Sequence, residues 1–259
     1  MPGELIFIGA GLSRDDISLK ALSAAKSCDV IFAEEYTSRL SDCSMKELET
    51  IIGKKISVLR REEVEEEEIP IRHALTKKVA FVVAGDPMTA TTHISLRVEA
   101  EKKGIKTRVI PGVSVYTAVP SILGLQHYKF GRTTTLVYPE ENFFPLSPYY
   151  VIKENMERGL HTLVLLDINA ERNRLMTLGE AIDILLEMEN RAKEDVIKED
   201  LLACAVARAG AGDSIAIAGT IKRLREEDLG KPPHTMVIPG ELHFAEKEAL
   251  KILCGYREM

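Results

Sequence analysis

The sequence contains no tryptophan, and its aromatic residues make up only 5% of 259 positions. Proteins that bind single-stranded nucleic acid stack bases on aromatic side chains, so this scarcity disfavours such a surface. The chain also has no excess of positive charge, because 34 Lys and Arg stand against 40 Asp and Glu, a net charge of −6. A protein that binds a phosphate backbone is usually basic. We therefore expect no nucleic-acid partner.

Long apolar runs are absent too. None approaches the roughly 18 residues that a membrane span requires, and the N-terminal residues 1–12 lack a basic region followed by a small-residue cleavage site. We expect a cytoplasmic protein with no membrane partner. Its four cysteines form no CxxC pair, and no histidine lies at a zinc-finger spacing from them. We interpret them as thiols in a reducing compartment and expect no metal site.

What the sequence does contain is the alternation typical of an α/β protein. Val79–Ala84 is apolar throughout, as expected for a strand buried on both faces of a parallel sheet. Leu5–Ile8 and Val30–Ala33 are two further strands, and a helical apolar pattern beginning at Ile17 separates them. Asp15 and Asp16 are predicted to favour the start of that helix through its dipole. The other predicted strands are Ile56–Leu59, Arg108–Ile110, Thr133–Tyr138, Thr162–Leu166, Leu201–Ala207, Ser214–Ala218 and Thr235–Ile238.

Further helices are predicted over His93–Lys103, Thr177–Asn190 and Leu242–Leu253. The stretch Tyr138–Tyr150 holds three prolines among several aromatic residues. We interpret it as a loop that packs on or covers another surface, because proline disrupts a helix interior or a central strand. The acidic run Glu62–Glu68 is interpreted as a solvated face.

Gly9-Ala10-Gly11-Leu12 follows the first strand and resembles the start of a dinucleotide-binding loop. Glu34 and Glu35 even lie near the expected place of its ribose-binding acid. The third glycine of that fingerprint would fall at position 14, where the sequence has Arg14. We therefore favour a tight turn between strand and helix.

A stronger candidate is the polar segment Gly85-Asp86-Pro87-Met88-Thr89-Ala90-Thr91-Thr92, which directly follows the buried strand Val79–Ala84. Ligands in α/β proteins bind at the carboxyl ends of parallel strands. Three weaker motifs also come just after predicted strands, so that one shared cleft is plausible. These motifs are Pro111-Gly112-Val113-Ser114-Val115-Tyr116, Leu165-Leu166-Asp167-Ile168 and Ala207-Arg208-Ala209-Gly210-Ala211-Gly212. The sequence has neither the GxSxG elbow nor the GxxxxGK[ST] phosphate loop.

Taken together, these motifs resemble the archaeal diphthine synthases, within the tetrapyrrole methylase fold family. The resemblance spans nearly the whole chain. The segment Gly85-Asp86-Pro87 marks only the wider methylases, whereas Ala33–Ser38 (AEEYTS) and Ala90–His93 (ATTH) are more specific to diphthine synthases. The segments that carry it are Phe7–Leu12, Phe32–Ser38, Gly85–His93, Tyr128–Gly131, Tyr138–Glu140, Gly159–Thr162, Leu166–Ile168, Ala207–Gly210 and Pro232–His234.

The resemblance implies two α/β domains, which we place at residues 1–112 and 113–259, with S-adenosylmethionine in the cleft between them. It also implies a homodimer and methyl transfer to the amino group of the modified histidine of translation elongation factor 2. S-adenosylhomocysteine is then the product of the cofactor, and no catalytic side chain is identified. The cofactor-binding residues that it implies are Leu12, Asp86, Thr89, Ser114, Val115, Leu166, Ala209 and His234.

Three alternatives stay open at this point. A precorrin methylase shares the fold and the cofactor, and only the more specific segments speak against it. A ribosomal-RNA methylase of the same fold is disfavoured by the net charge of −6 and the few aromatic residues. A non-enzymatic module that binds a dinucleotide is disfavoured by the missing third glycine.

Overall fold

The computed structural model describes residues 3–169 and 173–257. Its contacts divide the chain into two compact units, one ending at Ser114 and the other beginning at Val115. The cysteines all lie in the described residues, where each is a free thiol. None of the described helices has the length and apolar composition that crossing a bilayer requires.

Unit 1, up to Ser114, is a parallel sheet between helices. Among the described residues its five strands lie in the order β3-β2-β4-β1-β5, and every neighbouring pair is parallel. The strands are β1 (Glu4–Gly9), β2 (Val30–Glu34), β3 (Ile56–Leu59), β4 (Lys78–Val83) and β5 (Lys106–Ile110). The helices are α1 (Leu19–Lys26), α2 (Met45–Ile52), α3 (Arg61–Glu65), α4 (Ile69–Ala74) and α5 (His93–Lys102).

After their first residues, Glu4 and Lys78, β1 and β4 are apolar throughout, which follows from helices on both faces of this sheet. Ile6 and Ile8 pack with α1 and α2, whereas Leu5 and Phe7 pack with α4 and α5 on the opposite face. Successive side chains of a strand point to opposite faces, so a strand covered on both sides has no polar position. The predicted α/β class is confirmed.

Unit 2, from Val115 onwards, contains a mixed sheet. In the described residues its order is β11-β10-β12-β7-β6, with only β6 and β7 parallel. These strands are β6 (Thr134–Leu136), β7 (Thr162–Leu166), β10 (Leu202–Ala207), β11 (Ile215–Thr220) and β12 (His234–Ile238), and a short hairpin is formed by β8 (Ile168–Asn169) and β9 (Arg174–Leu175). The helices are α6 (Val115–Leu123), α7 (Ser147–Glu157), α8 (Leu178–Ala192), α9 (Ile221–Arg225) and α10 (Phe244–Cys254), with a 3₁₀ turn at His127–Lys129.

Two sequence predictions were wrong in detail. The loop prediction for Tyr138–Tyr150 fails at its end, because α7 begins at Ser147 with Pro148 in its first turn. Proline is well tolerated there, since a first-turn N–H has no partner within the helix. The first helix begins at Leu19, where the Ser18 side chain accepts from the N–H of Ala21, and its first turn holds no acidic residue. Asp15 and Asp16 therefore do not act on its dipole.

Candidate cofactor-binding site

Three loops of unit 1 meet at glycines, where the chain leaves β1, β4 and β5. A Cβ placed on Gly9 would lie 2.5 Å from the nitrogen of Gly112, and one on Gly112 would lie 2.2 Å from the carbonyl oxygen of Gly85. No other residue type fits at such a separation. Gly11 and Gly85 also pair through their backbones, with an N···O distance of 2.7 Å from Gly85 to Gly11. The three loops are thus held together by direct backbone contact.

The first loop is closed by its own aspartate. One carboxylate oxygen of Asp16 accepts from the backbone N–H groups of Leu12 and Ser13, at 3.1 and 3.0 Å. A dinucleotide loop needs such N–H groups, at a helix N-terminus, for the pyrophosphate. Here Asp16 occupies them, and the helix starts only at Leu19. This geometry disfavours the dinucleotide-binding module.

Glu34 does not serve as a ribose-binding acid. Its side chain is fully buried, and one carboxylate oxygen accepts from the N–H groups of Tyr36 and Thr37 at 2.8 and 2.9 Å. Burial raises the pKa of Glu34, against the opposing effect of these hydrogen bonds. Glu34 therefore organises the turn after β2.

The segment Gly85–Thr89, here called the GDP loop, is organised by Asp86. One carboxylate oxygen of Asp86 accepts from the N–H of Met88 at 2.9 Å and from the hydroxyl of Thr89 at 3.0 Å. The other accepts from the N–H of Gly112 at 3.3 Å. Asp86 therefore shapes the loop that carries it and ties this loop to the one after β5.

Four of the predicted cofactor residues lie on these joined loops. Leu12 is buried, and Asp86, Thr89 and Ser114 are half-buried. Val115, also half-buried, is the first residue of α6 in unit 2. The contact boundary between the two units falls between Ser114 and Val115. Their roles as cofactor contacts stay predictions.

Three predicted residues meet at one edge of the unit 2 sheet. β12 runs antiparallel to both β7 and β10, so that its first residues lie beside their last ones. His234 pairs with Ala207, two residues before Ala209, and Thr235 pairs with Leu165, one residue before Leu166. Leu166 is half-buried, whereas Ala209 and His234 are buried.

His234 is a neutral hydrogen-bond donor. Its Nδ1 accepts from the N–H of Leu178 at 3.1 Å, which places the ring proton on Nε2. Burial lowers the pKa of His234 and the nearby Arg208 guanidinium lowers it further, whereas the backbone groups of Lys231 and Gly230 act to raise it. Among the described residues, Nε2 has no hydrogen-bond partner although it is buried. A buried N–H group of this kind is suited to donate a hydrogen bond to an acceptor atom of a ligand.

Arg208 holds this edge together, and the sequence analysis did not identify its role. Its guanidinium donates to the carbonyls of Leu229 and Lys231 at 2.7 and 2.6 Å and to the carboxylate of Asp213 at 2.7 Å. Its backbone N–H donates to the carbonyl of Pro233. Arg208 itself is in the left-handed region, with φ of 51°. It thereby fixes the segments that carry Ala209 and His234.

Each unit, taken by itself, has residues of the kind that S-adenosylmethionine requires. In unit 1 the backbones of Gly9, Gly85 and Gly112 occupy the side-chain space of Gly9 and Gly112, which fixes the loops that carry Asp86 and Ser114. In unit 2 the buried Nε2–H of His234 is a donor without a hydrogen-bond partner among the described residues. Within residues 3–169 and 173–257, no group of three or more His, Cys, Asp or Glu side chains is arranged to hold a metal ion.

Comparison with known proteins points to one family. Residues 4–225 match the model of the tetrapyrrole (corrin/porphyrin) methylases. The chain is 51% identical over 254 residues to a diphthine synthase of Methanocaldococcus jannaschii, covering 96% of this chain and 98% of the relative. It is 48% identical over 247 residues to a diphthine synthase of Methanosphaera stadtmanae, covering 95% and 94% of the two chains.

Solved structures agree with these sequence relatives. A crystal structure of a diphthine synthase is 37% identical and superposes with a TM-score of 0.88, covering 97% of this chain and 96% of the other. A putative diphthine synthase from Entamoeba histolytica is 35% identical with a TM-score of 0.87, covering 99% of this chain and all of the other.

Proposed function

Because the chain belongs to the diphthine synthases of the tetrapyrrole methylase family, we propose that it methylates the modified histidine of translation elongation factor 2. The methyl donor is S-adenosylmethionine, the acceptor is the amino group of the diphthamide precursor, and the product is diphthine. The observation that carries the proposal is 51% identity to the Methanocaldococcus jannaschii diphthine synthase along 96% of this chain.

The precorrin methylase alternative is not favoured. The family model covers methylases of both kinds, so its match alone does not separate them. The relatives at 46–51% identity that cover nearly the whole chain are diphthine synthases. The segments specific to them in the sequence, AEEYTS and ATTH, are both present here.

We propose that one S-adenosylmethionine molecule is bound by residues of both units, as the family resemblance implies. In unit 1 its contacts come from Leu12, Asp86, Thr89 and Ser114. In unit 2 they come from Val115, Leu166, Ala209 and His234. The buried Nε2 of His234, which has no hydrogen-bond partner among the described residues, supports this assignment.

When bound, S-adenosylmethionine supplies an electrophilic methyl group on a sulfonium. The work of the chain is then to align the acceptor nitrogen with that methyl group, and such positioning supplies much of the rate. The acceptor amine must be neutral to attack. His234 is neutral because burial lowers its pKa, so it holds its proton on Nε2 as a fixed donor. We assign no general base.

We further propose that the chain works as a homodimer, as the family resemblance implies. Elongation factor 2 is the protein partner. Since this acceptor is a translation factor, we place the reaction in the cytoplasm.

The decisive experiment uses the purified chain, labelled S-adenosylmethionine and elongation factor 2 that carries the diphthamide precursor. Mass spectrometry of the modified peptide is expected to show mass increases in whole methyl groups. Excess EDTA is expected to leave the rate unchanged, since the sulfonium needs no metal.

An elongation factor 2 in which the acceptor histidine is replaced by alanine is the matched control, and it should gain no methyl group. An unmodified precursor peptide, together with methylation of a precorrin by the same preparation, would contradict the proposed function.

A further inference from the structure

Two side chains outside the predicted cofactor set form hydrogen bonds to the backbone of the GDP loop and of the residue before it. The hydroxyl of Ser38 donates to the carbonyl of Ala84 at 2.8 Å. Nδ1 of His93 is 3.1 Å from the carbonyl oxygen of Pro87. Ala84 and Pro87 enclose Gly85 and Asp86, so the carbonyl groups on both sides of this pair are held. Ser38 belongs to the AEEYTS segment, and His93 belongs to the ATTH segment.

The His93 ring is fixed within the core of unit 1. It is 1% exposed, and it meets the ring of Phe81 edge-on with centroids 5.0 Å apart. The ring of Tyr36 lies 6.5 Å away at a similar angle. A carbonyl oxygen can only accept, so the ring proton is on Nδ1 and is donated to Pro87. Burial lowers the pKa of His93, which keeps the ring neutral.

The backbone at both ends of the GDP loop lies in the left-handed region. Gly85 has φ of 74°, and Ala90, directly after the loop, has φ of 55°. A residue with a side chain is strained in this left-handed region and persists there only where the surrounding structure imposes it. Pro87 is itself buried, so its carbonyl group has little access to water in place of His93.

We propose that His93 is a positioning residue for the methyl donor. Its hydrogen bond to Pro87 fixes the backbone of the GDP loop and thereby the orientation of the Asp86 and Thr89 side chains. The proposal rests on the proposed function, since it concerns the affinity for that donor. His93 acts through the loop and takes no part in methyl transfer. Ser38 supports the opposite end of the loop in the same way.

The test compares three replacements of His93. His93→Asn places an amide nitrogen near the Nδ1 position and keeps the donor, whereas the longer side chain of His93→Gln reaches the Nε2 position. His93→Leu keeps the volume without a donor. The affinity for S-adenosylhomocysteine is measured by calorimetry, alongside the thermal midpoint of each variant.

We expect His93→Leu and His93→Gln to weaken S-adenosylhomocysteine binding about tenfold, the effect of one hydrogen bond of roughly 1.4 kcal/mol. His93→Asn should stay within about threefold of the wild type. In the methylation assay, the KM for S-adenosylmethionine should rise, with kcat and the KM for elongation factor 2 unchanged. A residue that only stabilises the fold would lower the thermal midpoint without this pattern.

His73→Leu is the matched control. His73 also lies in unit 1, its Nδ1 is 3.0 Å from the carbonyl oxygen of Ile69, and its ring meets Phe32 edge-on. Removing it should leave the affinity unchanged, because it holds no part of the GDP loop. If the His93 variants do not fold, Ser38→Ala tests the other end of the loop at a half-buried site, with a loss of about threefold expected.

Equal affinity of wild type and His93→Leu, or equal losses in the Asn and Leu variants, would overturn the positioning proposal. With His93 variants that do not fold, unchanged affinity in Ser38→Ala would do the same. A wild-type chain that binds no S-adenosylhomocysteine would instead refute the proposed function, and with it the role of His93.

Discussion

The sheet edge of unit 1 and that of unit 2 carry the predicted cofactor residues, and they are built by different means. In unit 1, backbones touch directly at Gly9, Gly85 and Gly112, where a Cβ has no room. In unit 2, the side chain of Arg208 reaches backbone groups 21 and 23 residues further along the chain. The first edge therefore depends on the absence of side-chain volume, and the second depends on the presence of one charged group.

This difference has a consequence for mutation. Adding one methyl group should damage the edge of unit 1, whereas the edge of unit 2 should tolerate it. Removing one guanidinium should damage the edge of unit 2. Four predictions follow from the contrast, in order of decreasing size.

The largest effect is expected for Gly112→Ala. The new Cβ would lie 2.2 Å from the carbonyl oxygen of Gly85 and 2.8 Å from the carbonyl carbon of Gly9, so backbone must move. We expect a loss of roughly 3 kcal/mol in unfolding free energy, the upper range for overpacking, and no measurable binding of S-adenosylhomocysteine. Urea unfolding and calorimetry measure the two effects.

Gly212→Ala is the matched control on the unit 2 side. Its Cβ would meet no atom of the described residues within 4 Å, and its φ is not in the left-handed region. The substitution should change the unfolding free energy by less than about 0.5 kcal/mol. Equal damage from both substitutions would remove the contrast between the two edges.

Arg208→Gln should come next. It removes a buried guanidinium from the carbonyl groups of Leu229 and Lys231 and from Asp213. Because hydrogen bonds to a charged group are involved, we expect a loss of about 2 kcal/mol and weaker S-adenosylhomocysteine binding through Ala209 and His234. Arg225→Gln is the control, since the exposed pair of Arg225 with Asp183 should contribute less than about 1 kcal/mol. Similar losses in both variants would show that Arg208 contributes no more to the unfolding free energy than an exposed arginine does.

Two buried glutamates extend the contrast to pH. Burial raises the pKa of Glu34 in unit 1, where its hydrogen-bond donors are uncharged. In unit 2, burial also acts to raise the pKa of Glu246, but hydrogen bonds from the Lys129 ammonium, from two backbone N–H groups and from His161 lower it to about 2.

The signs of the two stability contributions are opposite. Glu246 stabilises the fold above its unfolded pKa of roughly 4.3, and this contribution is lost as the pH falls towards 2. The contribution of Glu34 is present at low pH and is lost as the pH rises through its folded pKa. We expect Glu246→Gln to lose roughly 2 kcal/mol at pH 7 and less at pH 3, as measured by urea unfolding. A loss independent of pH would contradict this account, and Glu34→Gln should show the opposite trend.

The smallest effect on stability is expected for Phe143→Glu in the 138–150 stretch. Phe143 is 55% exposed, whereas Phe144 packs on the unit 2 core with the Arg191 guanidinium 3.8 Å above its ring. We expect Phe143→Glu to cost less than about 0.5 kcal/mol while splitting the proposed dimer or impairing transfer to elongation factor 2. An intact dimer by light scattering with normal methylation would exclude both roles, and Phe144→Glu should instead destabilise unit 2.

The sequence predicted β1, β2 and β4 of unit 1 well because these strands are apolar on both faces apart from a charged residue at one end. Glycines also mark the ends of β1 and β4. The sequence analysis did not predict short helices such as α3 and α4, because five or six residues show too little hydrophobic periodicity. Asp16 was misassigned to the helix dipole because its actual partners, two loop N–H groups, lie outside the helix. Arg208 could not be recognised, since its partners become neighbours only through the fold.

The proposed set of cofactor residues is tested most directly by a crystal structure of the chain with S-adenosylhomocysteine. We predict that one ligand molecule contacts the GDP loop of unit 1 and both Ala209 and the Nε2 of His234 in unit 2. A ligand that contacts residues of one unit alone, or that binds away from both sheet edges, would contradict the proposed site.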